Sequence, residues 1–270
     1  MSRPPGGIIR STPLVPTLLA ASGVWSLRQA QESHGLGIWP VSQDGNDTYT
    51  KILLHLNGAD ASTTFPDSNF GGSAHTWSAG GNAQIDTADS KFGGASLLLD
   101  GTGDYVTASD SSDFTVGSGE WTVDFWFKCN AAGGTNLRIC GQCDASATTS
   151  SRTIEVLRAS TNVMQADCWI GATNYRVTGT TQFTNSTNTG WHHVALVRYS
   201  GNIKLFVDGV QEGGDTAISG SINDSSSNYS VGRLGAFVSD TWDGWIDEFR
   251  FSVGIARWTT TFTPPVVAYT

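Results

Sequence analysis

Charge is scarce in this sequence. Only 14% of the 270 residues are charged, Lys and Arg together number 15, and the net charge is −9. A phosphate backbone needs a basic stripe to release its counterions, so a nucleic-acid partner is excluded. No apolar run approaches the length that spans a bilayer, which argues against a membrane partner. Leu14–Ala21, after Arg3 and Arg10, is a very short apolar stretch broken by Pro16, so no cleaved secretory signal is expected. Helical periodicity is nearly missing: Val24–Glu32, with Ser22 placed to cap it, is the one credible helix.

Catalytic spacings are also lacking. No Gly-x-Ser-x-Gly elbow and no His-Glu-x-x-His pair occurs, and His34, His55 and His75 are far apart. Glycoside hydrolysis needs two carboxylates facing one cleft. Asp247 and Glu248 are adjacent, so on a strand one points inward and the other outward, and Glu155 stands alone. No enzyme is expected. Of the paired His192 and His193, one should be buried with a hydrogen-bond partner.

What is present is glycine, 32 residues of it, with Ser, Thr and Asn crowding the gaps between short apolar runs. Such a chain builds many short strands and turns. Trp191–Val210 is the clearest example. Trp191, His193, Ala195, Val197 and Tyr199 share one face of a strand, and His192, Val194, Leu196 and Arg198 the other. Ser200-Gly201-Asn202 breaks it, a second alternating run follows, and Asp208-Gly209 reads as a tight hairpin turn. The expected class is therefore all-β and antiparallel.

This block and two others carry a resemblance. Residues 93–128, GGASLLLDGTGDYVTASDSSDFTVGSGEWTVDFWFK, lie upstream, and residues 243–265, DGWIDEFRFSVGIARWTTTFTPP, lie downstream. Together they resemble the laminin-G-like, concanavalin-A-like jelly-roll domain over about Lys51–Pro265. The resemblance implies a two-sheet antiparallel jelly-roll sandwich at residues 49–270. It also implies a calcium ion held at the sandwich edge by loop oxygens, with Asp67 and Asp247 brought together as ligands and Asn57 and Asp104 as further candidates. The competing reading is that Asp67 and Asp104 bond their own turns.

Residues 1–48 form the second part, an arm interrupted by Pro4, Pro5, Pro13, Pro16 and Pro40. It nevertheless carries Ile8, Ile9, Leu14, Val15, Leu18, Leu19, Trp25 and Trp39, more apolar surface than a solvated linker needs. Those side chains dock either on the chain's own sandwich or on another subunit. The wording GGIIRSTPLVPT…SGVWSLRQAQESHGLGIWP is similar to an N-terminal segment of tailed-bacteriophage structural proteins. That resemblance implies a homo-oligomeric virion protein, bound to other virion proteins through the arm and displaying a module for cell-surface glycan. The alternative is a secreted or cell-surface carbohydrate-binding module.

Ten Trp invite a carbohydrate reading. Trp121, Trp126, Trp191 and Trp245 fall in strand patterns that packing explains, which leaves Trp77, Trp169, Trp242 and Trp258 as candidates to stack on sugar. Cys140-Gly-Gln-Cys143, with Cys129 and Cys168, permits free thiols, a disulfide or a metal site.

Overall fold

The computed structural model describes residues 45–144, 146, 148–235, 237 and 239–270. The helix expected at Val24–Glu32 and the arm residues Ile8, Ile9, Leu14, Val15, Leu18, Leu19, Trp25 and Trp39 lie outside them. In chain order the strands are β1 (Thr50–Leu54), β2 (Trp77–Gly80), β3 (Gln84–Asp86), β4 (Ser96–Asp100) and β5 (Tyr105–Ala108). Then come β6 (Trp121–Cys129), β7 (Leu137–Gln142), β8 (Ile154–Arg158), β9 (Val163–Ile170) and β10 (Thr173–Gln182). The last five are β11 (His192–Tyr199), β12 (Asn202–Val207), β13 (Val210–Ala217), β14 (Tyr229–Val231) and β15 (Asp243–Val253). Among the described residues the helical pieces are two short 3-10 turns, Ser112–Phe114 and Thr149–Ser151, and no helix is long and apolar enough to cross a membrane.

All strand pairs are antiparallel, and they form two sheets. The first runs β13-β12-β11-β6-β15-β4-β3, the second β10-β9-β8-β7-β14-β5-β2. The eleven-residue β15 serves two neighbours on one edge: its first half pairs with β4 and its second half with β1. Val123, Phe125 and Phe127 of β6, Val194 and Leu196 of β11, and Phe249 and Phe251 of β15 point into the space between the sheets. There they meet Val156, Ala166, Cys168, Tyr229 and Val231 of the second sheet. Burial of this apolar surface is the main driving force for the sandwich.

The Trp191–Val210 reading holds closely. β11 and β12 are joined at Ser200 (φ 49°) and Gly201 (φ 74°), and β12 and β13 at Asp208 (φ 49°) and Gly209 (φ 77°), the two positive values that a type I′ turn requires. Gly209 has a second reason to be glycine. A Cβ there would lie 2.0 Å from the carbonyl oxygen of Phe262, because the C-terminal segment crosses the hairpin tip and Phe262 N–H donates to Gly209 O at 2.9 Å.

That C-terminal segment explains why β11 is apolar on both faces. Ala195 and Val197, on the outer face, pack in a separate cluster with Phe206, Ala256, Trp258 and Phe262. All four cysteines are free and buried, and burial pushes the Cys140 thiol up to about 12, so of the three alternatives the structure shows inert core thiols.

Candidate functional site

Strand register on the outer face of the first sheet brings together residues that are distant in sequence. Lys128 of β6 lies opposite Trp245 of β15, which lies opposite Leu98 of β4, itself opposite Gln84 of β3. On the other side, His192 faces Phe127, which carries Trp191 to the level of Lys128. The result is a row Trp191, Lys128, Trp245. Strands are spaced by about 4.8 Å, so the two indoles stand roughly 10 Å apart with the lysine between them.

Both indoles are half-buried, and both are fixed by aspartates. Trp191 Nε1 donates to Asp89 Oδ1 at 2.8 Å, and Trp245 Nε1 donates to Asp86 Oδ2 at 2.8 Å. The Lys128 ammonium donates to Asp89 Oδ2 and lies 5.3 Å from the Trp245 ring centroid. Burial pushes the Asp89 carboxyl up, but the bonds from Lys128 and Trp191 prevail and hold it below the usual carboxylate range. Two aromatic rings held at fixed spacing, with charged hydrogen-bonding groups between them, suit a ligand that has both apolar faces and hydroxyl groups.

The adjoining corner is built around the turn Lys91–Gly93. Asp247 Oδ2 accepts from the amides of Lys91 at 2.8 Å and Phe92 at 2.9 Å, while Asp247 Oδ1 is buried without a partner. Asn57 Oδ1 is also buried and unpartnered, and it lies against Gly93, where a Cβ would meet it at 2.1 Å. Burial, with the neighbouring Glu248 charge, pushes the Asp247 carboxyl up to about 7 against the pull of its two amides. Two orphaned oxygens of the hard type at one turn fit calcium. Among the described residues no group of three or more His, Cys, Asp or Glu is arranged to hold a metal, so other ligands there would be backbone carbonyls and water.

Residues 100–254 match the model of the concanavalin A-like lectin/glucanases superfamily, more than half of the 270-residue chain. The chain belongs to this family. Solved structures agree on the superfamily fold. The binding domain of Paraclostridial Mosquitocidal Protein 1 is similar with a TM-score of 0.58 at 10% identity, over 77% of this chain and 50% of that one. The botulinum neurotoxin serotype G binding domain gives 0.55 at 14%, over 76% and 48%. This chain thus spans about half the length of those toxin domains. Domain 4 of an extracellular arabinanase from Geobacillus stearothermophilus, solved with arabinotriose, gives 0.53 at 16%, over 77% and 95%. No curated protein matches the chain.

Within this superfamily frame the structure rearranges several expectations. Asp67 and Asp247 share no partner. Asp67 Oδ1 takes the amides of Leu53 and Asn69, and Oδ2 takes His75 Nδ1 at 2.7 Å and Trp77 Nε1, so its oxygens are used internally. Asp104 likewise holds the amides of Asn82 and Asp100. Each bonds its own turn in part, through Asn69 and Asp100, and neighbouring segments for the rest, so of the four candidates Asp247 and Asn57 are the ones with an unpartnered oxygen. The expectation that one of Asp247 and Glu248 points outward also fails: both are fully buried, because Glu248 sits at positive φ (49°) in a bulge of β15 and accepts from His55 Nδ1 and the Tyr269 amide.

The tryptophans exchange roles. Trp77, Trp169, Trp242 and Trp258, expected to be available for sugar, are 5%, 8%, 0% and 2% exposed. Trp242 meets the Phe127 edge inside the sandwich, Trp258 stacks on Phe262 at 4.3 Å, Trp77 packs against Tyr229, and Trp169 lies beneath Arg152. The open pair is Trp191 and Trp245, which alternation alone assigns to packing. The paired histidines follow expectation: His193 is fully buried with Nε2 3.2 Å from the Tyr269 hydroxyl, and His192 bonds Asp208 at 2.7 Å.

Proposed function

We propose that the sandwich is a non-catalytic glycan-binding module whose ligand lies across the Trp191–Lys128–Trp245 row. The observation that carries this is the pair of half-exposed indoles, each with its N–H bound to an aspartate, on one face of the first sheet. The arabinanase domain solved with arabinotriose supports the reading, since it is a sandwich of the same fold with a saccharide bound. Binding is favoured over hydrolysis because Asp89 is committed to Lys128 and Trp191, and Asp86 to Trp245, leaving no free acid and base to flank a glycosidic bond. A calcium ion on Asp247 and Asn57 would neutralise buried carboxylate charge and pin the Lys91–Gly93 turn beside the row; that is a structural duty, not a catalytic one. The finer setting we adopt is display on a tailed-phage particle, several copies joined to other virion proteins through the arm at residues 1–48.

Retention on a panel of immobilised polysaccharides tests the module. The intact chain should be slowed by at least one polymer and release no new reducing ends from any. Trp191→Ala and Trp245→Ala should each abolish retention while leaving the far-ultraviolet circular dichroism unchanged. Retention that survives both substitutions moves the ligand elsewhere, and sugar release overturns the non-enzymatic reading.

A further inference from the structure

The second sheet has an outer face of a different kind. Arg176 of β10, Asp167 of β9 and Glu155 of β8 stand directly opposite one another, and Asn174 faces Trp169 one step along. Glu155, isolated in sequence, therefore has a carboxylate neighbour across the strands. Arg176 takes both Asp167 oxygens, Nε to Oδ1 at 2.7 Å and a terminal nitrogen to Oδ2 at 2.8 Å. Arg138 pairs with Glu155 Oε1 and with Asp240 at 3.4 Å. Arg152 has no carboxylate partner among the described residues; its guanidinium rests 5.0 Å from the Trp169 ring and 4.6 Å from the Phe237 ring.

Six polar atoms on this face are buried without a hydrogen-bond partner among the described residues; the ion pairs just given hold Arg138 Nε and Glu155 Oε1, which leaves four. Two are donors, Trp169 Nε1 and Arg152 Nε, and two are acceptors, Glu155 Oε2 and Asn174 Oδ1. Glu155 is 1% and Trp169 8% exposed. Buried polar groups are ordinarily satisfied, and such a concentration of exceptions asks for an occupant. An anion would accept from Trp169 and Arg152 but would leave both acceptors unmet and set like charge against Glu155 and Asp167. A cation would do the reverse. A hydroxyl both donates and accepts, so a neutral polyol meets all four.

We infer that this face is a second binding site, independent of the indole row, that takes a neutral saccharide ring. Arg152, seated on two aromatic rings and held by no ion pair among the described residues, is the cover. Swinging it aside uncovers Trp169 for the apolar face of the sugar and brings ring hydroxyls to Glu155 and Asn174. Arg138 and Arg176 are already spent on carboxylates, and an acidic sugar drawn to Arg152 would meet like charge from Glu155 and Asp167.

The ten tryptophans of the intact chain allow both sites to be followed in one titration of indole N–H resonances, assigned by Trp→Phe variants. The probes are neutral oligosaccharides of arabinose, galactose, glucose and xylose, and oligogalacturonate. Trp169 should shift with at least one neutral oligosaccharide and not with oligogalacturonate. Asn174→Ala should weaken that response about tenfold, the effect of one good hydrogen bond. Glu155→Gln, or Asn174→Asp should the first not fold, should alter the preference between neutral and acidic sugars. A Trp169 response to oligogalacturonate alone overturns the ligand class. A Trp169 resonance indifferent to every probe means that ordered water fills the face, and overturns the site. Trp191 and Trp245 report separately on the indole row, so the two readings fail independently.

Discussion

The outer face of the first sheet has two ends made of the same strands, and they differ in what lies over them. At the open end stand Trp191, just ahead of β11, Lys128 of β6 and Trp245 of β15. A few residues along the same strands, the sealed end presents His193, Asp124 and Arg250, again an aromatic ring beside charge. There, however, residues 255–270 fold back over the sheet. Trp258 meets His193 edge-on at 5.5 Å, Tyr269 donates its hydroxyl proton to Asp124, and the Asp124–Arg250 pair, with both bonds at 3.0 Å, is wholly buried. Composition does not decide which end is a site; coverage does. Where the chain supplies its own aromatic rings the face becomes structure, and where it does not the indole rings stay partly exposed.

The contrast is sharpest in stability. Arg250→Ala strands the Asp124 carboxylate in a dry site, and loss of one partner of a buried pair costs about 3–5 kcal/mol. Lys128→Ala removes one partner of a pair whose side chains are 27% and 25% exposed, where the cost is at most about 1 kcal/mol. Urea midpoints of the two variants should differ accordingly. Similar midpoints would mean that the two ends are not distinguished by burial.

Much of this was legible in the chain and some was not, for physical reasons. Alternation along β11 and the Asp208-Gly209 turn are local, and they appear as read. The row of Trp191, Lys128 and Trp245 is set by cross-strand register between segments more than fifty residues apart, which a period of two within each strand does not reveal. Trp258 read as uncommitted because nothing before residue 255 announces that the segment doubles back. The signal for the second-sheet face was present but faint: Gln165, Asp167 and Trp169 alternate with Met164, Ala166 and Cys168, polar against apolar, though their partner Glu155 required the β8–β9 register. Asp67 has both oxygens taken up within the chain, one of them by His75 eight residues on, a pairing that no metal-ligand spacing announces.

A metal at the Lys91–Gly93 turn, between the two ends, would sharpen the comparison by showing that the open end is braced by an ion where the sealed end is braced by chain. If Asp247 and Asn57 hold calcium, the ion stabilises by mass action, about 2.7 kcal/mol at a hundredfold excess over its dissociation constant. Thermal melts should fall on chelation and rise with the logarithm of added calcium, and Asp247→Asn should lose that dependence. A Tm indifferent to chelator and to millimolar calcium would reject the ion.

Acid separates the ends once more, by a smaller amount. Burial pushes the Asp124 carboxyl up, but the Arg250 charge and the bond with His193 outweigh it and bring it to about 2, below the ordinary 3.8. A carboxyl lowered by folding contributes stability that is complete above its unfolded value and disappears as pH falls through its folded one, here from about pH 4 to about pH 2. At 1.36 kcal/mol per unit the contribution is about 2 kcal/mol. The groups facing Asp124 are Arg250, His193 and Tyr269, all buried, so salt should scarcely screen it. Asp89 at the open end is also lowered, but solvent reaches it, and its share should shrink in high salt. Urea titrations from pH 5 to 2, in low and high salt, should therefore show a wild-type slope that Asp124→Asn flattens equally in both and that Asp89→Asn flattens only in low salt. Equal salt sensitivity for the two variants would show that the C-terminal segment does not exclude water from Asp124, and the distinction between a sealed and an open end would fail.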